Sequence, residues 1–179
     1  MKRIHHYKTI RSTQTRAREL ADAGAPAWTI IRADRQTGGR GRMDRKFSSK
    51  TGGLYFTVLL RPRFKPTSLG QFSLKTGRLL TRALGELTGA KTKVKEPNDV
   101  LALCSDGRWR KVAGILIEAS GGSNSLDWII IGMGINLNNE MPLGLPHATS
   151  IGLILGKRVS NERVYRGLTR HLRKAWERL

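Results

Sequence analysis

Residues 110–136 read RKVAGILIEASGGSNSLDWIIIGMGIN. Two apolar stretches of strand length stand in this segment, Lys111–Glu118 and Leu126–Ile135, and both are expected as strands. Just upstream, Thr92–Lys95 and Val100–Leu103 read as shorter strands, and Asp106-Gly107 signals a hairpin between the second of them and Lys111–Glu118. Leu54–Leu60 is a further strand, closed by Pro62, and Trp28–Ala33 another. Helical spacing appears in three places. Thr13–Ala23 puts Ala17, Leu20 and Ala21 on one face, with Ser12 or Thr13 as its cap. Leu69–Leu87 aligns Leu69, Phe72, Leu79, Leu80, Ala83, Leu84 and Leu87, with Thr67 or Ser68 as cap. The closing helix aligns Val164, Leu168, Leu172, Ala175 and Trp176, its other face covered by solvated Arg and Lys. This order lacks a regular βαβ alternation, so a doubly wound nucleotide fold is not expected. It predicts an α+β domain, a mixed β-sheet with helices packed largely on one face.

Length and composition suit one ordered domain: 179 residues, 39% of them hydrophobic. No apolar run is long enough to span a bilayer, and the basic N-terminus lacks the apolar core of a secretory signal, so a cytoplasmic protein is expected. The lone Cys104 excludes an internal disulfide and a cysteine zinc site, and it reads as an inert, half-buried residue. Charge is the unusual feature: 33 Lys and Arg against 13 Asp and Glu give +20. Such a balance favours an acidic or polyanionic partner, whether nucleic acid, a phosphate-bearing substrate or an acidic protein.

Three segments carry candidate chemistry. In QTGGRGRMDRKFSSKTGG (36–53), glycines let backbone N–H groups approach a ligand, and Arg40, Arg42 and Arg45 offer guanidinium forks suited to phosphate or carboxylate. The segment is too polar for a core and belongs on the surface or over a ligand. It is not a phosphate loop of the Walker type, since no Gly-Lys-Ser/Thr follows; an RNA-binding arm reads equally well from these residues alone. KEPNDV (95–100) places Asn98 and Asp99 just before an apolar strand, where a simple turn is the plainer reading. In RKVAGILIE (110–118), Lys111 and Gly114 flank the start of a strand. A lysine there suits a developing acyl phosphate, although single edge lysines usually face solvent. GMGIN (132–136) lacks the third glycine of a dinucleotide fingerprint.

Taken together and in this order, the segments resemble the biotin protein ligase family. That family carries a Ser-Thr-Asn turn, a GRGR loop ending in tryptophan, a Gly-Leu-Tyr strand, K-W-P-N-D, R-K-x-A-G-I-L-x-E and G-x-G-I-N. The counterparts here are Ser12-Thr13-Gln14, GRGRMDRKF, GGLYF, KEPND, RKVAGILIE and GMGIN, a resemblance over roughly residues 8–178. It implies the biotin/lipoate ligase-like catalytic domain. Ser12, Thr13, Gln36 and Gly114 would hold biotin, with Arg40 in the loop that orders over it. Lys111 and Arg42 would be catalytic at the carboxylate and phosphates. Arg42, Arg45, Phe47, Asn98 and Asn136 would bind the nucleotide, and Asp99 would support the site and a Mg2+ shell.

The implied reaction consumes ATP and biotin, forms biotinyl-AMP and modifies a lysine of a biotin carrier protein. An acidic carrier surface would suit the +20 charge, and a homodimer is within the family's habits. The resemblance also implies neither the N-terminal helix-turn-helix domain nor the small C-terminal β-barrel domain of some relatives. Three positions depart from the pattern: Gln14 for asparagine, Glu96 for tryptophan and Phe47 for tryptophan. They leave room for a related ligase of lipoate or another small acid. A non-enzymatic nucleic-acid-binding relative is the further alternative.

Overall fold

The computed structural model describes residues 3–62, 69–122, 125–142 and 144–177. Seven strands share one mixed sheet: β1 (Ile4–Ile10), β2 (Ile30–Gln36), β3 (Leu54–Leu60), β4 (Thr92–Lys95), β5 (Asp99–Leu103), β6 (Trp109–Gly121) and β7 (Leu126–Ile135). Their spatial order is β1-β2-β3-β7-β6-β5-β4. β1 and β2 are parallel, and every other neighbouring pair is antiparallel. The helices are α1 (Thr13–Asp22), α2 (Leu69–Thr88), α3 (Ile151–Leu155) and α4 (Asn161–Trp176).

Alternation along the central strands sends side chains to two cores. On one face Phe56, Val58, Ile129 and Ile131 pack with Phe72, Leu80 and Leu84 of α2, Ile151 of α3, and Val164, Leu168 and Leu172 of α4. On the other, Ile31, Leu59 and Ile130 meet Ala17 and Ala21 of α1. The helices therefore lie largely on one face, as expected, with α1 alone on the second. Each large apolar side chain so buried contributes about 1.5–3 kcal/mol. Gly167 lets α4 close on α2, because a Cβ there would stand 2.4 Å from Leu87. α1 starts as its sequence indicates: the Ser12 side chain accepts from the Thr15 N–H.

Four expectations change. β1 was not foreseen, and with α1 and β2 it makes one βαβ unit at the sheet edge. β2 starts later and runs further than Trp28–Ala33, since Trp28 sits at φ 64, outside strand geometry. Leu69 and Ala175, placed on apolar faces by spacing, are exposed, whereas Trp176 beside Ala175 packs against Phe72 of the core. α3 adds a short helix within HATSIGLILG. The proposed α2 caps, Thr67 and Ser68, lie outside the described residues. Among those described, no helix is long and apolar enough to cross a membrane.

Candidate functional site

A cavity of about 370 Å³ opens on the α1 face of the sheet. Its floor exists because three of the four paired positions beneath it are glycines. Gly132 pairs with Leu116 and Gly134 with Gly114 across β6 and β7, and all four positions project to this face. A Cβ on Gly132 would lie 2.3 Å from Gln14 Oε1, and one on Gly134 would lie 2.6 Å from the Phe47 ring. Both glycines are thus required by close approach.

The deep end is polar and bonded throughout. Gln36 Oε1 accepts from the Thr13 N–H at 2.8 Å and from the Thr13 hydroxyl at 3.0 Å. The Thr57 hydroxyl lies 3.0 Å from Thr13 Oγ1 and 3.3 Å from Gln14 Oε1. Gln36 Nε2 donates to Ser49 Oγ at 2.8 Å. Gln14 Nε2 reaches the Leu116 carbonyl at 3.4 Å, a long contact that leaves most of its donor capacity unspent. This end can recognise a ligand ring that both donates and accepts hydrogen bonds.

The opposite end is charged. Lys111 Nζ lies 2.6 Å from Asp99 Oδ1, and its ammonium is 5.8 Å from the centre of the Phe47 ring. β5–β6 pairing fixes this arrangement: Asp99 stands opposite Gly114, and Lys111 opposite Leu101. Over the mouth runs the 36–53 loop, stapled by Phe47 N–H to Gly39 O at 2.9 Å and Gly41 N–H to Arg45 O at 2.7 Å. Its tip residue Met43 is 78% exposed. From this loop Arg42 Nη1 extends to Asn98 Oδ1 at 3.4 Å, bridging the two rims. Asn98 is itself held by its Nδ2 donation to the Ile115 carbonyl at 2.9 Å.

A second chamber of about 400 Å³ shares Phe47, Asp99 and Lys111 with the first. Asn136 lies there rather than in the first, with Trp109, Leu101, Met141 and His147. Its Oδ1 accepts from Asn139 at 3.1 Å, while among the described residues its Nδ2 faces only the Met141 sulfur at 3.5 Å. A thioether is a weak acceptor, so this buried amide remains suited to a better one from a ligand. Every other site residue expected from the sequence lines the first chamber. Sequence reasoning passed over Thr57, Ser49 and Trp109, and it read Gly132 only as part of the GMGIN motif. Of the three passed over, Thr57 carried a signal, a polar residue within the apolar strand LYFTVLL.

Asp99 was also expected in a metal shell. Among the described residues, no three of His, Cys, Asp and Glu converge on one point. Asp99 and Glu96 are the carboxylates lining the chamber, enough for an ion that arrives with phosphates, since Mg2+ commonly takes one or two carboxylates beside substrate oxygens.

The model of the biotin/lipoate A/B protein ligase family matches residues 7–136. The bifunctional ligase/repressor BirA of Bacillus subtilis is 33% identical over 178 residues, covering 97% of this chain and 52% of the relative. The biotin–[acetyl-CoA-carboxylase] ligase of Paracoccus denitrificans is 36% identical over 129 residues, covering 70% of this chain and 51% of the relative. The chain thus spans about half the length of these curated relatives. Among solved structures, a biotin protein ligase from Aquifex aeolicus in complex with biotin and ATP superposes with a TM-score of 0.78. It is 36% identical, over 99% of this chain and 73% of that one.

Proposed function

Because the chain belongs to the biotin/lipoate A/B protein ligase family, we propose that it activates biotin with ATP and transfers it to a lysine of a carrier protein. The observation that carries this reading is the position of Lys111, held by Asp99 where the two chambers meet. An acid in the first chamber and a nucleotide in the second bring a carboxylate and an α-phosphate together at that ammonium.

Biotin's ureido ring enters the deep end, where Thr13, Gln14 and Gln36 supply donors and acceptors. Its carboxylate points to Lys111. The nucleotide occupies the second chamber, with Asn136 bonding it and Phe47 between the two ligands. A carboxylate oxygen attacks the α-phosphorus, and pyrophosphate leaves. Lys111 and Arg42 stabilise the charge that gathers on the transferring group. The carrier's lysine amine then attacks the acyl carbon, and AMP leaves. Asp99 would hold magnesium arriving with the phosphates, and the ion would supply neutralisation of part of their charge. The 36–53 loop keeps water from the mixed anhydride until the carrier arrives. Ser12, Arg40 and Gly114 complete the acid's surroundings, and Arg45 and Asn98 those of the phosphates.

Incubation with biotin, Mg–ATP and the carrier domain of a bacterial acetyl-CoA carboxylase tests this reading by mass spectrometry of the carrier. The expected result is one biotinyl addition on a lysine. Lys111→Ala is expected to slow its appearance by about 10²–10³-fold. A carrier that gains mass from lipoate but not from biotin would transfer the reading to the lipoate branch.

A further inference from the structure

The outer side of the 36–53 loop borders a groove of about 800 Å³, twice the volume of the second chamber. Its walls carry Arg11, Arg35, Arg40, Arg45, Lys46 and Lys50 and, among the described residues, no carboxylate. Some cations elsewhere are neutralised at close range, as in Arg18–Glu118, Arg32–Glu162 and Arg110–Asp106. Among the described residues, Arg11, Arg35, Arg45, Lys46 and Lys50 take part in no ion pair. A cluster of like charges repels itself, a cost that an anionic partner would offset.

The frame under these charges is firm. Arg35 stands opposite Thr9 in the β1–β2 ladder. Gln36 and Ser49 bridge the base of the loop, and the Lys50 carbonyl accepts from the Tyr55 hydroxyl at 2.7 Å. A prearranged surface loses little freedom on binding. The groove also adjoins the chemistry, because Gln36, Arg40 and Phe47 line both it and the first chamber.

We propose that this groove is the docking surface for the protein substrate, which meets it with an acidic face. The proposal rests on the ligase reading above. Two features of the groove favour a protein over other anions. All five cations without an ion pair are exposed, so they suit an extended acidic face better than an enclosed phosphate. Among the described residues, the sole aromatic on the walls, Phe47, turns its ring onto Gly114 and Gly134. The groove therefore lacks the stacking platforms of single-strand binding.

The test is the double reversal Arg35→Glu with Lys50→Glu, and its conservative counterpart Arg35→Lys with Lys50→Arg. Each is assayed for biotinyl-AMP formation without carrier and for transfer to the acetyl-CoA carboxylase carrier domain. The reversal is expected to raise the KM for carrier about tenfold at low salt, with a smaller difference at high salt. Adenylate formation and kcat stay at wild-type values, and the conservative pair behaves as wild type throughout. An unchanged carrier KM in the reversal, with transfer intact, overturns the docking proposal and leaves the ligase reading standing. A wild-type protein that forms no adenylate overturns the ligase reading and this proposal together. Loss of binding to a DNA duplex in the reversal, with carrier KM unchanged, assigns the groove to polynucleotide instead.

Discussion

Thr57 is fully buried in the central strand, and its hydroxyl holds both Thr13 and Gln14 at the deep end of the first chamber. Valine has nearly the same shape without the hydroxyl, so Thr57→Val isolates that contribution. The expected effect is a rise of about fivefold in the Kd for biotin, the worth of one net hydrogen bond, with adenylation at saturating biotin unaltered. Calorimetric titration checks it, and an unchanged Kd would show that Thr13 and Gln14 need no support from β3. Gly134 makes a steric prediction. A methyl group there enters the Phe47 ring at 2.6 Å, so Gly134→Ala must displace the ring that lines both chambers. Adenylate formation is expected to fall about 10²-fold, as for other small misplacements of reacting groups. Far-UV circular dichroism is expected to remain that of the wild type.

Between elements, α4 is tied to the sheet by Arg32, whose guanidinium bonds Glu162 at 2.7 Å and lies 4.5 Å from the Tyr165 ring centre. Arg32, with Arg166 beside it, holds the Glu162 carboxyl below the usual carboxylate range. A carboxyl depressed in the folded state adds stability above its unfolded pKa and loses it as pH falls through the folded value. Glu162→Gln is therefore expected to lower Tm by about 2 °C near neutral pH. The gap to wild type should close as the medium is acidified below the carboxylate range, and a gap independent of pH contradicts the assignment. Central elements were readable because their patterns follow burial: Leu54–Leu60, buried at every position, was placed at its observed bounds. β1 was missed because an edge strand with one solvated side, IHHYKTI, carries little apolar pattern. Most of the site was readable for another reason, since Ser12, Arg42, Asn98 and Lys111 sit in short motifs whose order is itself distinctive. What those motifs could not convey was tertiary: that β5–β6 pairing brings Asp99 to Lys111, and that Thr57 lies under Thr13.

For the molecule as a whole, the sheet separates two tasks. One face buries α2, α3 and α4 in the larger core; the other carries α1 and the first chamber. Removing side chains at Gly132 and Gly134 therefore costs the larger core nothing, because neither position faces it. The +20 charge also acquires a location. Some cations are locally paired along the helices and the β5–β6 hairpin, while the groove beside the 36–53 loop stays cationic. The central claim is that Lys111 joins an acid chamber to a nucleotide chamber. Its most direct measurement is chromatographic detection of biotinyl-AMP from biotin and Mg–ATP, comparing wild type with Lys111→Ala after equal biotin binding has been verified by calorimetry. Adenylate from the wild type, and about 10²-fold slower formation by a variant that still binds biotin, is the predicted result. Equal adenylate from both proteins, or none from a wild type that binds biotin and ATP, would contradict it.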